Sequence, residues 1–460
     1  MSEVMALKPD EVVDKLRKGD FVVCVVGLGW MGMPTACLFA EMGARVIGVD
    51  VDRSIVDTVN KGKSPVAEPG LDVLVKKTVG KGQLHATDDV KDAISKSDIV
   101  ILIVPTLLDR LKRPDYSTLE KACKDIGHTL KKGSLVILQS TVGLGITESL
   151  VKWELEKASG LKVENDFGLA YSPIRATSGR TLQDIVNYPR VVAAIDKRSL
   201  EVASAVLATI IKGPIIKVRN VKTAEAIKLF ENVYRDTNIA LANELATFCE
   251  AAAIDYAECV KAANTQPYCH LHMPGIGVGG HCIPVNPYFL LEEAANVGVK
   301  LPLIKLARKT NDAMPKHTVN LVIDALRTCG KSVKRARIAV LGVSYRANVK
   351  EARFTPTKEV VATLEKMGAK VSVYDPYFTV EELKTLGYYG VRRLEVAVDN
   401  ADCVLITVEH EEFKRVKLKT LTRLLRKKAA LVDCGRVFNP SEVEAAGIVY
   451  RGIGRGTWSK

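Results

Sequence analysis

Two kinds of pattern alternate along most of the chain. Short runs with no polar interruption are followed by amphipathic stretches of helical period. The runs FVVCVVG (21–27), RVIGVD (45–50), DIVILIVPT (98–106) and SLVILQSTV (134–142) are apolar throughout rather than at every second position. That predicts parallel strands buried on both faces. FGLAYSP (167–173), VVAAID (191–196) and IIKV (215–218) extend the same sheet, so a first α/β domain is expected over 1–215. The period then changes. Between Lys222 and Ala253 there is neither Gly nor Pro, which predicts one long helix. Ile227, Phe230, Val233 and Tyr234 are expected in its core, while Glu225, Lys228, Asn232 and Arg235 share a polar face at spacings of three and four. Asparagine is a poor helix former, so Asn232, Asn238 and Asn243 in one helix point to work for their side chains. Further helical patterns run to about Arg327, completing a helical middle region over 216–330. A basic linker, GKSVKRARI, leads into a second alternation: RIAVLGV (337–343), KVSVYDP (370–376), CVLITVEH (403–410), ALVDCG (430–435) and IVYRGIG (448–454). The expected fold is therefore α/β, with two Rossmann-like doubly wound domains (1–215 and 331–460) joined by the long helix and the helical middle region.

The first strand opens into GLGWMGMP, in which Gly27, Gly29 and Gly32 make G-x-G-x-x-G around Trp30 and Met31. A strand precedes the motif, a helix pattern follows it, and Asp50 ends the next strand. That is the full context of a dinucleotide site, with the pyrophosphate on the helix N-terminus and the ribose hydroxyls on the acid. Asp50 favours NAD; Arg53 leaves some room for NADP. Thr106 and Thr141 end two predicted strands, where an open α/β sheet binds ligands. The second alternation lacks the glycine motif. Its longer first turn, VSYRANVKEARFTP, carries Arg346, Lys350 and Arg353, which suit a nucleotide diphosphate.

Between the alternations lies PGIGVGGHCIPVNPYF (274–289), with four glycines and three prolines around His281 and Cys282. Glycines admit close backbone approach and proline stiffens the flanks, so the loop reads as a preorganised seat for a nucleophilic thiol. Cys269, His270, His272, His281 and Cys282 crowd one segment, but their spacing fits no common zinc pattern, and no metal is expected.

Composition narrows the rest. The 460 residues include ten cysteines without CxxC spacing, which fits a reducing cytoplasm. No apolar run reaches membrane-spanning length, and the charged N-terminus is unlike a signal peptide. The net charge of +13 is spread among acids, which fits an anionic small substrate, or simply a basic surface, at least as well as nucleic acid.

Taken together, these pieces resemble the UDP-sugar 6-dehydrogenase family from about residue 20 to 455. The resemblance rests on GLGWMGMP, TAEAIKLFENVYRDTNIALANE, PGIGVGGHCIP, VLGVSYRANVKEARFTP, VYDPY and EHEEF. GGHCIP resembles the UDP-N-acetylhexosamine branch, mannosamine or glucosamine, and YRDTNIALANE is most similar to the UDP-N-acetyl-D-mannosamine dehydrogenases; UDP-N-acetylglucosamine and UDP-glucose stay open as alternative substrates. The resemblance implies oxidation of a UDP-sugar C6 alcohol to a carboxylate with two NAD, through a thioester on Cys282. It implies Lys228 and Asn232 as further catalytic residues, and Arg175, Lys228, Asn232, Arg235, Gly279, Tyr345 and Arg346 as substrate contacts. Arg353 falls on a position near NAD, and a homodimer or higher homo-oligomer, with the long helix as its surface, is expected. Several positions depart from the family pattern: Ile174 replaces a glutamate, Asn286 an aspartate and Arg346 a lysine, and the region near Gln266 and Tyr268 also differs. These departures keep open a protein that binds UDP-sugar and NAD without turnover.

Overall fold

The computed structural model describes residues 3–456. The chain divides into two compact units, one of residues 1–231 with 288–299, the other of residues 232–287 with 300–460. The first division falls inside the long helix, Val221–Ala252.

The first unit is built on an eight-stranded sheet. In spatial order its strands are Ile215–Lys217, Arg190–Ala194, Gly168–Tyr171, Leu135–Leu138, Ile99–Leu102, Val22–Val26, Arg45–Val49 and Leu84–Thr87. All neighbours pair parallel except Gly168–Tyr171 with Arg190–Ala194, which pair antiparallel. Alternation along a strand feeds two cores. Val23 and Val25 enter one apolar cluster, and Cys24 and Val26 the other. Both faces are buried, so the strand sequence shows no polar positions. The strand order reverses between Val22–Val26 and Ile99–Leu102, the switch point beyond which such sheets bind ligands.

The second unit carries a five-stranded, wholly parallel sheet in the order Lys370–Tyr374, Arg337–Leu341, Cys403–Ile406, Ala430–Asp433, Val449–Arg451. Ile338 and Val340 face one core and Ala339 and Leu341 the other. All five strands lie within the apolar runs expected from the sequence.

The long helix departs from expectation in its side chains. Val233 is buried, but Phe230 and Tyr234, expected in the core, are 55% and 57% exposed. Glu225 and Asn232 from the expected polar face are instead buried. Helical period fixes which residues share a face but not which face meets protein. A polar network decides it here. In the second unit the amide of Asn243 donates to Asn311 of the helix Pro302–Thr328, and Asn311 donates to Asp236, itself ion-paired with buried Arg308. No helix among the described residues is long and apolar enough to cross a membrane.

Candidate active site

In the first unit, the glycine loop has the geometry its spacing implies. Gly27 has φ +98°, and a Cβ there would lie 2.6 Å from the Ile103 carbonyl oxygen. A Cβ on Gly32 would overlap the Gly27 carbonyl, so helix Gly32–Glu41 packs directly on the strand. At Gly29 a Cβ would meet nothing, so this edge of the loop is open to a close-approaching ligand. No side chain caps the helix at Met31, and Trp30 stands half-exposed beside it. Asp50 accepts the Leu28 N–H at 2.8 Å on one oxygen and the Asp52 N–H at 3.0 Å on the other. A carboxylate keeps further lone pairs for ribose hydroxyls. Arg53 is ion-paired to Asp88 at 3.2 Å. The Thr106 hydroxyl donates to the Thr141 carbonyl at 2.6 Å, tying together the ends of these two adjacent strands. An open glycine, an uncapped helix N-terminus and an acid at the second strand's end fit a dinucleotide.

A second cluster in this unit gathers around Ile174. Lys228 donates its ammonium to the Ile174 carbonyl at 2.7 Å, and Arg175 is ion-paired to Glu231, three residues further along the helix. The ammonium is thus held by backbone at the position where the family pattern has an acid. Glu225 is fully buried and clamps the turn after Leu135–Leu138. It accepts the N–H groups of Gly145 and Thr147 and, at 2.6 Å, the Thr147 hydroxyl. Burial pushes this carboxyl up, opposed by those hydrogen bonds.

In the second unit, Cys282 is partly exposed and lies just before the helix Asn286–Asn296; its carbonyl accepts the N–H of Val285 and, at 2.9 Å, of Asn286. The loop is held at both ends. Asn243 accepts the Gly275 N–H at 2.9 Å, and the Asn232 amide donates to Asn286. The helix asparagines Asn232 and Asn243 therefore hold the cysteine loop, while Asn238 only meets the Tyr234 carbonyl of its own helix. Gly279 and Gly280 rest against Tyr345; a Cβ at Gly279 would strike the Tyr345 side chain. The Gly280 N–H donates to the Arg353 carbonyl at 3.0 Å, joining the cysteine loop to the loop 345–354. Arg346 is exposed on that loop, Lys350 is paired to Glu382 at 2.6 Å, and Arg353 grips buried Glu351. Arg235 is exposed, and its charge joins burial in lowering the basicity of His272. Among the described residues no three His, Cys, Asp or Glu side chains converge on a metal position.

Sequence reasoning passed over Asp236, Arg308, Asn311, Glu231 and His410. Glu231 and Asp236 lie in the central-helix motif and His410 in EHEEF, but neither motif named their partners; nothing local marked Arg308 or Asn311.

Three models of the UDP-glucose/GDP-mannose dehydrogenase family match in succession: the NAD binding domain at 21–211, the central domain at 222–313 and the UDP binding domain at 339–440. The UDP-N-acetyl-D-mannosamine dehydrogenase of Pyrococcus horikoshii is 35% identical over 434 residues, covering 94% of this chain and 99% of its own. An NDP-N-acetyl-D-galactosaminuronic acid dehydrogenase of Ralstonia solanacearum is also 35% identical, over 413 residues, 88% of this chain and 94% of its own. A solved structure of the Pyrococcus horikoshii UDP-D-ManNAc dehydrogenase superposes with a TM-score of 0.87 at 33% identity, covering 94% of this chain and 99% of that one. The chain belongs to the UDP-glucose/GDP-mannose dehydrogenase family and is an NAD-dependent UDP-sugar dehydrogenase.

Proposed function

We propose that the protein oxidises the C6 alcohol of a UDP-N-acetylhexosamine to the carboxylate, with UDP-N-acetyl-D-mannosamine as the first substrate to test, through a covalent thioester on Cys282. The observation that carries this reading is the seating of the Cys282 loop, at the start of a helix, against the loop bearing Tyr345 and Arg346. The names of the relatives support the sugar class. NAD, when bound to the glycine loop and Asp50, supplies the hydride acceptor for both oxidations. The positive end of the helix favours the Cys282 thiolate. That thiolate adds to the C6 aldehyde, giving a thiohemiacetal. The second oxidation leaves a thioester, and water cleaves it to acid and thiol. Lys228 stabilises the developing oxyanion, and Asn232 steadies the Cys282 loop through Asn286. Arg175, Arg235, Gly279, Tyr345 and Arg346 contact the sugar nucleotide, and Arg353 lies on the NAD side.

A panel of UDP-sugars assayed with NAD by NADH absorbance tests the substrate class. Cys282→Ser should bind NAD and UDP-sugar yet form no acid; full turnover by Cys282→Ala would overturn the mechanism. Ile174 and Asn286 cannot deprotonate water, and general-base assistance is worth about 10²–10⁴ in rate. Hydrolysis should therefore be slow. Rapid mixing should give a burst of NADH, and mass spectrometry of acid-quenched enzyme should show the adduct. A linear progress curve without adduct would mean that another residue supplies the base.

The second part of the proposal is a homodimer, in which another copy covers the exposed stripe of Phe230, Tyr234, Leu241 and Phe248 on the long helix. Spacings of four and seven put these four on one face. Light scattering should report a dimer, and Tyr234→Asp with Phe248→Asp should give a monomer.

A further inference from the structure

His410 is fully buried, yet it has two aromatic rings, a carboxylate and a backbone amide arranged around it. The Asn348 N–H donates to its Nδ1 at 2.9 Å. The neutral ring therefore carries its proton on Nε2, which lies 3.2 Å from Asp375 Oδ2. Tyr377 and Phe413 pack on the ring, with centroids at 5.0 and 5.3 Å, and fix its plane. Asp375 in turn accepts the N–H groups of Val343, Ser344 and Tyr377. Asn348 sits at φ +60°, a conformation that non-glycine residues seldom adopt, and its side-chain oxygen accepts the Glu411 N–H at 2.9 Å. The strained turn at Asn348 is thus held from two sides, by the ring of His410 and the backbone of the next residue. This turn is the middle of loop 345–354, which presents Tyr345 and Arg346.

We infer that His410 is a positioning residue: fixed as the Nε2–H tautomer by Asp375, it accepts the Asn348 N–H and so sets the shape of the loop that receives the UDP moiety. The inference rests on the reading that UDP binds this loop, and the two can fail separately.

Two near-isosteric variants split the role. His410→Asn keeps an acceptor near the Nδ1 position and loses the Asp375 bond. His410→Gln keeps a donor toward Asp375 and leaves the Asn348 N–H without its acceptor. The probes are UDP and NAD, titrated separately by calorimetry on the full chain. His410→Gln should weaken UDP about tenfold, the effect of one part-buried N–H losing its acceptor, while His410→Asn stays within about threefold of wild type. Both should bind NAD unchanged, which also reports that they fold. In turnover, the KM for UDP-sugar should rise in His410→Gln with kcat nearly constant. Equal losses in the two variants, or unchanged UDP affinity in both, would overturn the assignment, because packing alone does not distinguish them. Hydrogen exchange of segment 345–354, measured without nucleotide, decides the loop claim by itself. Faster exchange in His410→Gln than in His410→Asn supports it, and equal rates sink it. Failure of the wild-type protein to bind UDP would sink the functional reading, while the exchange result would still stand.

Discussion

Gly27 of the eight-stranded sheet and Gly342 of the five-stranded sheet occupy the same station. Each follows the first strand of its sheet with positive φ, +98° and +105°. Each donates its N–H, at 2.8 Å, to the last residue of the second strand, Val49 or Tyr374. In each, the carboxylate after that strand accepts the next N–H: Asp50 takes Leu28 at 2.8 Å, and Asp375 takes Val343 at 2.7 Å. From there the two diverge. Gly29 leaves its edge open and the helix begins at Gly32. Ser344 instead donates its hydroxyl to the Val349 carbonyl at 2.6 Å, and the helix waits until Thr357. Asp50 is partly exposed, whereas Asp375 is buried under His410. The same backbone turn thus serves two ends. One is left open for a dinucleotide; the other is closed by its own side chains and supports a longer, basic loop.

The comparison breaks most sharply at the glycines. Gly32→Ala forces a Cβ onto the Gly27 carbonyl and should cost about 3 kcal/mol or more, abolishing NAD binding together with a large drop in melting temperature. Gly29→Ala has room for its methyl group and should fold normally, losing NAD affinity alone. Calorimetry and thermal unfolding on both variants check this; equal melting temperatures would contradict the packing argument.

The two carboxylates should separate next. Asp375→Ala leaves the two buried N–H groups of Val343 and Ser344, and the part-buried one of Tyr377, without an acceptor and should destabilise by about 2–4 kcal/mol, with NAD affinity unaltered in the folded fraction. Asp50→Ala should cost little stability but raise the KM for NAD about 10–100-fold and narrow the preference over NADP. If NADP already serves wild type as well as NAD does, the role given to Asp50 is wrong.

Acid sharpens the contrast further. Burial by itself would raise the Asp375 carboxyl, but the hydrogen bonds it accepts from His410 and from the N–H groups of Val343 and Tyr377 hold it below the usual carboxylate range. A depressed folded value means that its stabilisation is complete above about pH 4 and is lost as pH falls through the folded value. Wild type should lose melting temperature over that acid range more steeply than Asp375→Asn. Parallel curves would refute the coupling.

The smallest effect is expected at Ser344→Gly. It writes G-x-G into the second sheet, yet it should cost only about 1 kcal/mol and confer no NAD binding. Asp375 remains covered and the helix still begins too late to meet a pyrophosphate.

Much of this was legible in the chain. The strands of both sheets apart from Leu84–Thr87, which the sequence reading missed, the glycine loop with Asp50 and the long helix each rest on local patterns of a few to some thirty residues. The cysteine loop was legible as a seat for Cys282, but its anchors were not. Asn243 reaches Gly275 across 32 residues, and Asn232 reaches Asn286 across 54. Asparagines in a helix signalled work without naming a partner. Phe230 and Tyr234 were misassigned because helical period ranks faces by polarity, and a buried network of Asp236, Arg308 and Asn311 reversed the ranking.

By itself, then, the sequence determined the order of most elements and the dinucleotide turn. Each depends on backbone conformation and burial, which neighbours in the chain impose directly. Only the tertiary structure decided that Lys228 rests on the Ile174 carbonyl, that Glu225 clamps a turn, and that Asp375 is closed by a histidine 35 residues away. The hydrogen bond of a buried polar group must be made somewhere, because leaving it unmade costs more than the bond itself contributes. The partner that satisfies it is whichever group the fold brings within about 3 Å, and chain separation carries no record of that choice.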